Sequence, residues 1–407
     1  MLSSLKNRSK DWRNRLIADP RFQRFAARYW PFRSVARRRA VQLFDLCAGF
    51  IYAQVLYACV QLELLPQLQA GEKSLHDLLP GSGLQPEALR RLLLAAVALD
   101  LLEQRATDRF ALGPQGAAML ANPGIAAMVR HHRFLYQDLV DPLALLQGKQ
   151  RPTRLQSFWR YALDNALHNE LDIDMARNGD KDADKGSARD VDMDHAPAVG
   201  SSWAQTDDYQ LYSELMASSQ HMIAEQVLNA YNFSSHRALL DVGGGLGEFL
   251  RRVGQRYPGL QLGLFDLPPV IETARQGFAG DKLVPRCFAG NFQHDALPSG
   301  FDLISLVRVL HDHDDAVVQQ LLERCAQALP PGGRLLIAEP LAATPGAKAM
   351  GDAYFGLYLF AMGQGRPRTF KEYQGFLQQA GFYRVRRVKT SIPMLCSLLI
   401  ATVKKKV

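Results

Sequence analysis

"LLDVGGGLGEFL", residues 239–250, is the stretch that decides the fold. An apolar run ends in Asp241, three consecutive glycines follow, and a fourth, Gly247, stands before a helix-forming segment. A strand that breaks on glycines and re-forms as a helix is the first turn of an open α/β sheet built to hold a nucleoside. A dinucleotide turn needs G-x-G-x-x-G, so that pyrophosphate rests on the helix N-terminus. In that register Gly243 and Gly245 would be followed by Glu248 at the third place. A carboxylate sits poorly beside pyrophosphate. The D-x-G-x-G-x-G register of Asp241, Gly243, Gly245 and Gly247 instead lets backbone pass close to a cofactor with no phosphate to cradle.

Such a fold delivers a second acid at the end of the next strand. Asp266, in "LFDLPPVIETA", stands 19 residues after Gly247 and is placed to accept from ribose hydroxyls. The apolar runs "ALLDV", "QLGLFD", "FDLISLV" and "GRLLIAEP" alternate with helical stretches, which predicts a mainly parallel sheet from about residue 202 onward. The run "FDLISLVRVLHDHDD" ends in a polar cluster, at the sheet edge where ligands of this architecture gather. His311 or His313 is the candidate base for a hydroxyl proton. As metal ligands the residues of "HDHDD" are poorly placed, because neighbours at a strand end diverge. No metal is expected.

The 407 residues exceed one ordinary core, so two domains are expected. A composition of 47% hydrophobic and 22% charged residues is that of a globular protein. The five scattered cysteines form no CxxC pair, which argues against a disulfide framework or zinc site. Residues 1–40 carry twelve Lys and Arg against Asp11 and Asp19, a net +10, while the whole chain is +8. The basicity belongs to an aromatic-laced arm. Residues 41–170 read as mostly helical, with a helix, a Pro/Gly turn, a second helix and a hairpin in "DRFALGPQGAAML" that together suggest a winged helix. "LCAGFIYAQVLYACV", residues 46–60, is shorter than the roughly 20 residues of a spanning helix. It is read as buried in a domain or dimer core. No secretory leader is read at the start. Residues 171–201 read as an Asp-rich solvated linker. A calcium loop on Asp180, Asp182 and Asp184 fails there, because Lys185 and Val191 stand where Gly and Glu are needed.

"LLDVGGGLG", "FDLPPVI", "VLHDHDD", "LPPGGRLLIAEP" and "GRPRTFKEY…AGF" follow one another as in the large S-adenosylmethionine-dependent O-methyltransferases. The chain is identified as a member of that family on these five ordered motifs. The resemblance implies a Rossmann-like class I methyltransferase domain: a mostly parallel sheet with an antiparallel C-terminal strand, preceded by a helical, winged-helix-like dimerisation domain. It implies S-adenosylmethionine as cofactor, a homodimer, and His311 as general base oriented by Glu339. His313 stands where the family usually has Trp. The implied cofactor set is Asp241, Gly243, Gly245, Gly247, Asp266, Leu267, Asn291, Phe292 and Arg308. Three departures accompany it. Pro367 replaces a second glutamate that often flanks the base; Asn291 replaces an acid that contacts adenine; Val307 replaces a lysine, leaving Arg308 or nothing in its place.

Residues 21–56 and "LVRVLHDHDD" resemble the hydroxycarotenoid branch of the family, which implies methylation of the tertiary 1-hydroxyl of acyclic carotenoids of the demethylspheroidene type. Phe360 and Met362 in "GDAYFGLYLFAMGQG" are candidates for an acceptor tunnel, or for ordinary helix packing. A polyene resides in a bilayer, so a cytoplasmic enzyme peripheral to the inner, photosynthetic membrane is expected, with the cationic arm meeting anionic headgroups or simply solvated. Two alternatives stay open: a phenol or polyketide O-methyltransferase, and a winged-helix DNA-binding regulator with a vestigial cofactor domain. The full set Asp241, Asp266, His311 and Glu339 argues against the second, and a basic arm without a basic recognition helix gives no reason to expect nucleic acid.

Overall fold

A computed structural model describes residues 2–158, 220–393 and 395–404, in two compact units, 1–121 and 122–407. The Asp-rich stretch read as a linker, 171–201, lies outside the described residues.

The first unit begins with three helices, Leu2–Ala18, Pro20–Arg28 and Trp30–Gln61. Asp19 starts the second by accepting from the Arg21 amide at 2.8 Å, with Pro20 at the first helical position. The third corrects the domain-core part of the reading of residues 46–60. The apolar stretch belongs to a continuous helix of 32 residues whose buried positions are Cys59 and Val60, so this chain does not bury it in a core. By length and composition alone that helix could cross a membrane. Val41, Leu43, Phe44, Leu46, Phe50 and Ile51 are all exposed on it. Beyond it, the helix Pro86–Ala98 and three short strands, β1 (Lys73–Ser74), β2 (Leu102–Ala106) and β3 (Arg109–Leu112), complete the helix-and-hairpin pattern. The sheet order is β1-β3-β2, antiparallel throughout.

The second unit is a seven-stranded sheet: β4 (Ala238–Val242), β5 (Gln261–Asp266), β6 (Arg286–Ala289), β7 (Leu303–Val307), β8 (Arg334–Glu339), β9 (Phe382–Val388) and β10 (Ser397–Val403). Its order is β6-β5-β4-β7-β8-β10-β9. The first five strands in that order are parallel, and β10 runs antiparallel to both β8 and β9. β4 and β7 are buried at every position, as strands covered on both faces must be. One face packs Ile304, Leu322 and Leu377 with helices Asp315–Ala328 and Phe370–Gln379; the other packs Val227, Leu250 and Ile271 with the helical stretch 220–230 and helices Glu248–Arg256 and Pro268–Gly277. The strand order reverses direction between β4 and β7, so their carboxyl ends open a crevice at the centre of the sheet.

Residues 122–158, which the sequence reading grouped with the helical domain to 170, pack inside this second unit. Helix Pro123–Asp138 meets helix Phe355–Met362 through a small core of Leu135, Leu145, Leu155, Tyr358, Leu359, Ala361 and Met362. Two polar rungs join the helices: His131 Nε2 lies 2.8 Å from Tyr358 Oη, and His132 Nε2 lies 2.7 Å from Tyr354 Oη. Burial pushes these imidazoles down to about 3 and about 4, so both stay neutral.

Candidate active site

The glycine turn leaves β4 in a left-handed conformation at Gly243, Gly245 and Gly247, with φ of 68°, 57° and 77°. A Cβ on Gly243 would stand 2.9 Å from Val309, and one on Gly247 would stand 2.6 Å from the Phe278 ring. At Gly245 the corresponding space is open. The turn therefore packs tightly at its two ends and presents bare backbone in the middle, the cradle a bulky cofactor needs.

Asp266 closes the turn from the end of β5. Its two carboxylate oxygens accept from the Gly245 and Leu267 amides, each at 2.8 Å. These bonds fix the carboxylate beside the turn and leave each oxygen a second lone pair for a ligand hydroxyl. Asp241 lies beneath. The β4–β7 register sets it opposite Ser305, whose hydroxyl donates to Asp241 Oδ1 at 2.5 Å. Its Oδ2 is buried with no hydrogen-bond partner among the described residues, and burial pushes the carboxyl up to about 7. Asn291 Oδ1 accepts from the Gln293 amide at 2.9 Å, so the side chain is held by its own turn after β6. Beside it, Phe292 meets the edge of the His313 ring at 5.2 Å.

β7 ends in a short 3-10 turn, Leu310–Asp312, entered through Arg308 at a left-handed φ of 58°. That turn carries His311, whose side chain is 3% exposed. Its Nδ1 lies 2.6 Å from Glu339 Oε2, and Glu339 Oε1 accepts from the Leu310 amide at 2.7 Å. Glu339, fully buried at the end of β8, thus grips both the imidazole and the backbone that carries it. Val309, two residues before His311, is the side chain that touches Gly243, so the histidine turn and the glycine turn abut. The parallel β4–β7 pairing brings these two turns, 68 positions apart at Gly243 and His311, to one edge.

Burial alone would hold the His311 pKa down, but Asp312 and Glu339 outweigh it and hold the imidazole above the ordinary histidine value, with Arg308 pulling the other way. His313 goes the opposite way, lowered chiefly by burial. Among the described residues no group of three His, Cys, Asp or Glu side chains could hold a metal ion.

Two functional features escaped the sequence reading. The first is Arg368, fully buried, which donates to the carbonyls of Leu310 at 2.8 Å and His313 at 2.7 Å and to Asp315 Oδ1 at 2.6 Å. It belts the turn that bears His311. Its own segment is fixed by a capping box, Thr369 with Glu372, and by Arg366, which bridges Glu372 and Asp315. Gly365 passes so close to the His311 carbonyl that a Cβ would collide with it. The second is Phe355, which packs edge-on to the His311 ring at 5.9 Å. Met362 is buried in the small helical core, and Phe360 lies under Arg151 at 5.6 Å, whereas Phe355 is the residue of this helix that meets the His311 ring. The signal for Arg368 lies in "GRPRT", directly after Pro367.

A glycine cradle, an acid closing it from the next strand and a buried His–Glu pair at the switch point of a parallel sheet define a class I methyltransferase that works on a hydroxyl. Residues 193–383 match an O-methyltransferase domain, and residues 44–122 match an O-methyltransferase dimerisation domain. The chain belongs to the S-adenosylmethionine-dependent O-methyltransferase family. It is 38% identical to demethylspheroidene O-methyltransferase of Cereibacter sphaeroides, over 95% of this chain and 93% of that protein. It is 30% identical to mouse acetylserotonin O-methyltransferase, over 84% of each chain. Among solved structures, human N-acetylserotonin methyltransferase in complex with SAM shares the fold, with a TM-score of 0.66 at 23% identity over 90% of this chain and 98% of that one.

Proposed function

We propose that this enzyme transfers a methyl group from S-adenosylmethionine to the tertiary 1-hydroxyl of an acyclic hydroxycarotenoid of the demethylspheroidene type. The observation that carries the chemistry is the 2.6 Å bond from a buried imidazole to a fully buried carboxylate beside the glycine turn. The acceptor class rests on the likeness to the Cereibacter protein over nearly the whole chain. When bound, the cofactor supplies an electrophilic methyl on a sulfonium. Gly243, Gly245 and Gly247 would give it backbone to lie against, with the buried Asp241 carboxyl beneath them; Asp266 and Leu267 would take the ribose, and Asn291, Phe292 and Arg308 the remainder.

A tertiary aliphatic alcohol is far less acidic than a phenol, so it is not ionised before attack. His311 removes the proton as the oxygen bonds to carbon. Glu339 keeps the Nδ1 proton in place, which leaves Nε2 as the accepting atom, and stabilises the imidazolium that forms. Burial excludes water from the imidazole, and alignment of oxygen, methyl carbon and sulfur supplies much of the acceleration.

The enzyme acts as a homodimer, with the apolar face of helix Trp30–Gln61 covered by the partner copy. The net +10 of residues 1–40, interleaved with exposed Trp12, Tyr29 and Trp30, holds it at the cytoplasmic face of an anionic membrane where a polyene is found. The test supplies the purified protein with labelled cofactor and, in parallel, 1-hydroxycarotenoids and phenolic acceptors. Methylation of the carotenoid with the phenols left untouched is the expected result; the reverse pattern overturns the acceptor assignment. His311→Ala abolishes turnover and leaves cofactor affinity within a few-fold, and loss of both together contradicts the role given to His311.

A further inference from the structure

The base has a second carboxylate. Asp312 Oδ1 lies 3.1 Å from His311 Nε2, on the opposite side of the ring from Glu339. The two acids differ in what lies beyond them. Glu339 is fully buried and holds two donors; the Asp312 side chain is 38% exposed and, among the described residues, accepts no hydrogen bond, its contact with Nε2 being a charge pair out of hydrogen-bond alignment. From the remaining sides the imidazole faces Arg308 and the Phe355 ring, neither of which accepts a proton at neutral pH, and His313, where burial disfavours the charged form.

This arrangement answers a question that the chemistry raises. Each turnover forms one oxygen–carbon bond and breaks one carbon–sulfur bond, whose electron pair stays on sulfur. The oxygen–hydrogen pair stays on oxygen, and one proton remains on Nε2. That proton must leave before the next acceptor is attacked, and a ring that is 3% exposed does not meet water directly. A second proton-bearing nitrogen offers no exit, because Nδ1 leads only to the sealed Glu339.

We infer that Asp312 is the proton outlet of the site: it takes the proton from His311 Nε2 after methyl transfer and passes it to solvent. A heavy-atom separation of 3.1 Å puts the carboxylate within transfer reach once a small rotation of its exposed side chain brings it into line with Nε2. While the acceptor oxygen occupies Nε2, Asp312 turns outward on its exposed side. Once product leaves, it swings back and resets the base.

The inference rests on His311 being the base, and the test separates the two. Asp312→Asn is compared with wild type in rapid quench and in the steady state, after loading with cofactor and acceptor at high pH. Expected is a first turnover within about threefold of wild type, a burst of one methyl per site, and a steady-state rate at least about tenfold lower. Small buffers that accept protons, such as imidazole, restore the steady state in proportion to their concentration. Asp312→Glu, which keeps a carboxylate, restores most of it without added buffer. Equal loss of first and later turnovers, or a slow steady state indifferent to buffer, overturns the proposal and assigns Asp312 to acceptor binding. An unimpaired steady state overturns it as well. If His311→Ala retains turnover, the base assignment falls instead, whatever Asp312→Asn does. Cofactor affinity and circular dichroism report whether each variant is folded.

Discussion

Replacing Glu339 with glutamine tests the centre of the site with a change of one atom. The carboxylate now accepts twice, from the Leu310 amide at 2.7 Å and from His311 Nδ1 at 2.6 Å. Glutamine keeps one acceptor, and the backbone amide, which cannot change its proton, claims it. The NH₂ then faces Nδ1, and two donors cannot share that gap. The ring responds by moving its proton to Nε2, where a base cannot carry it. An acid-to-amide change of this kind in the serine-protease triad lowers kcat by about 10⁴. The same tautomer error operates here, so kcat should fall about 10³- to 10⁴-fold, or ~4–5.5 kcal/mol on the barrier. Cofactor affinity should stay within a few-fold. The pH profile adds a signed check. Asp312 and Glu339 together raise the His311 pKa, so the wild-type rate falls as pH drops through a value above that of ordinary histidine. Without the Glu339 charge that acidic limb moves to lower pH, even as the plateau collapses. Single-turnover methyl transfer with a saturating acceptor is the assay. A loss smaller than about tenfold, or a limb that moves upward, would refute the reasoning.

Other perturbations read other parts of the molecule. Arg368→Met strips donors from the buried Leu310 carbonyl and the part-buried His313 carbonyl; leaving a buried acceptor unmet costs about 1–3 kcal/mol, and thermal unfolding should reflect it. Gly365→Ala drives a methyl into the His311 carbonyl at a left-handed φ of 77°, and kcat should fall while cofactor binding, read by calorimetry, persists. The raised pKa of Asp241, about 7, means that the folded state keeps a proton which the unfolded chain releases near pH 4, so cofactor-free stability declines between those values as pH rises. Asp241→Asn removes that slope: its melting temperature should exceed wild type at pH 8, by up to about 4 kcal/mol of stability, and the gap should close near pH 4. Sedimentation with vesicles of anionic lipid should capture the full chain, fail with neutral lipid, and weaken with salt, each basic residue at the surface contributing about 1 kcal/mol.

The sheet was readable because its central strands are covered on both faces. Each of the four apolar runs singled out in the sequence became a strand, β4, β5, β7 and β8, since only a doubly buried strand needs an unbroken apolar run. The length of helix Trp30–Gln61 was not readable from its apolar part: Arg37, Arg38 and Arg39 interrupt the hydrophobic pattern while favouring helix. In the site, Asp241, the glycines and Asp266 announce themselves by local spacing, whereas the pairing of His311 with Glu339 spans 28 residues and came through family likeness. Phe355 and Arg368 reach the base from 44 and 57 positions further along. Their direction is set by a π-helical turn at Ala349–Tyr354 and by the capping box at Thr369, neither of which has a signature at the distance of the base. Asp312 did lie beside His311 in the quoted motif, but the turn that folds its carboxylate back toward Nε2 is a tertiary product.

The belt that Arg368 draws around the histidine turn has an evolutionary consequence. Everything that aims the imidazole comes from behind it: β8, the segment at 365–368 and the guanidinium. The wall in front, from Tyr354 onward, contributes ring contacts alone. Mutations can therefore redraw that wall without disturbing the aim, and one lineage is free to trade a flat aromatic guest for a long flexible one while its proton chemistry is inherited unchanged.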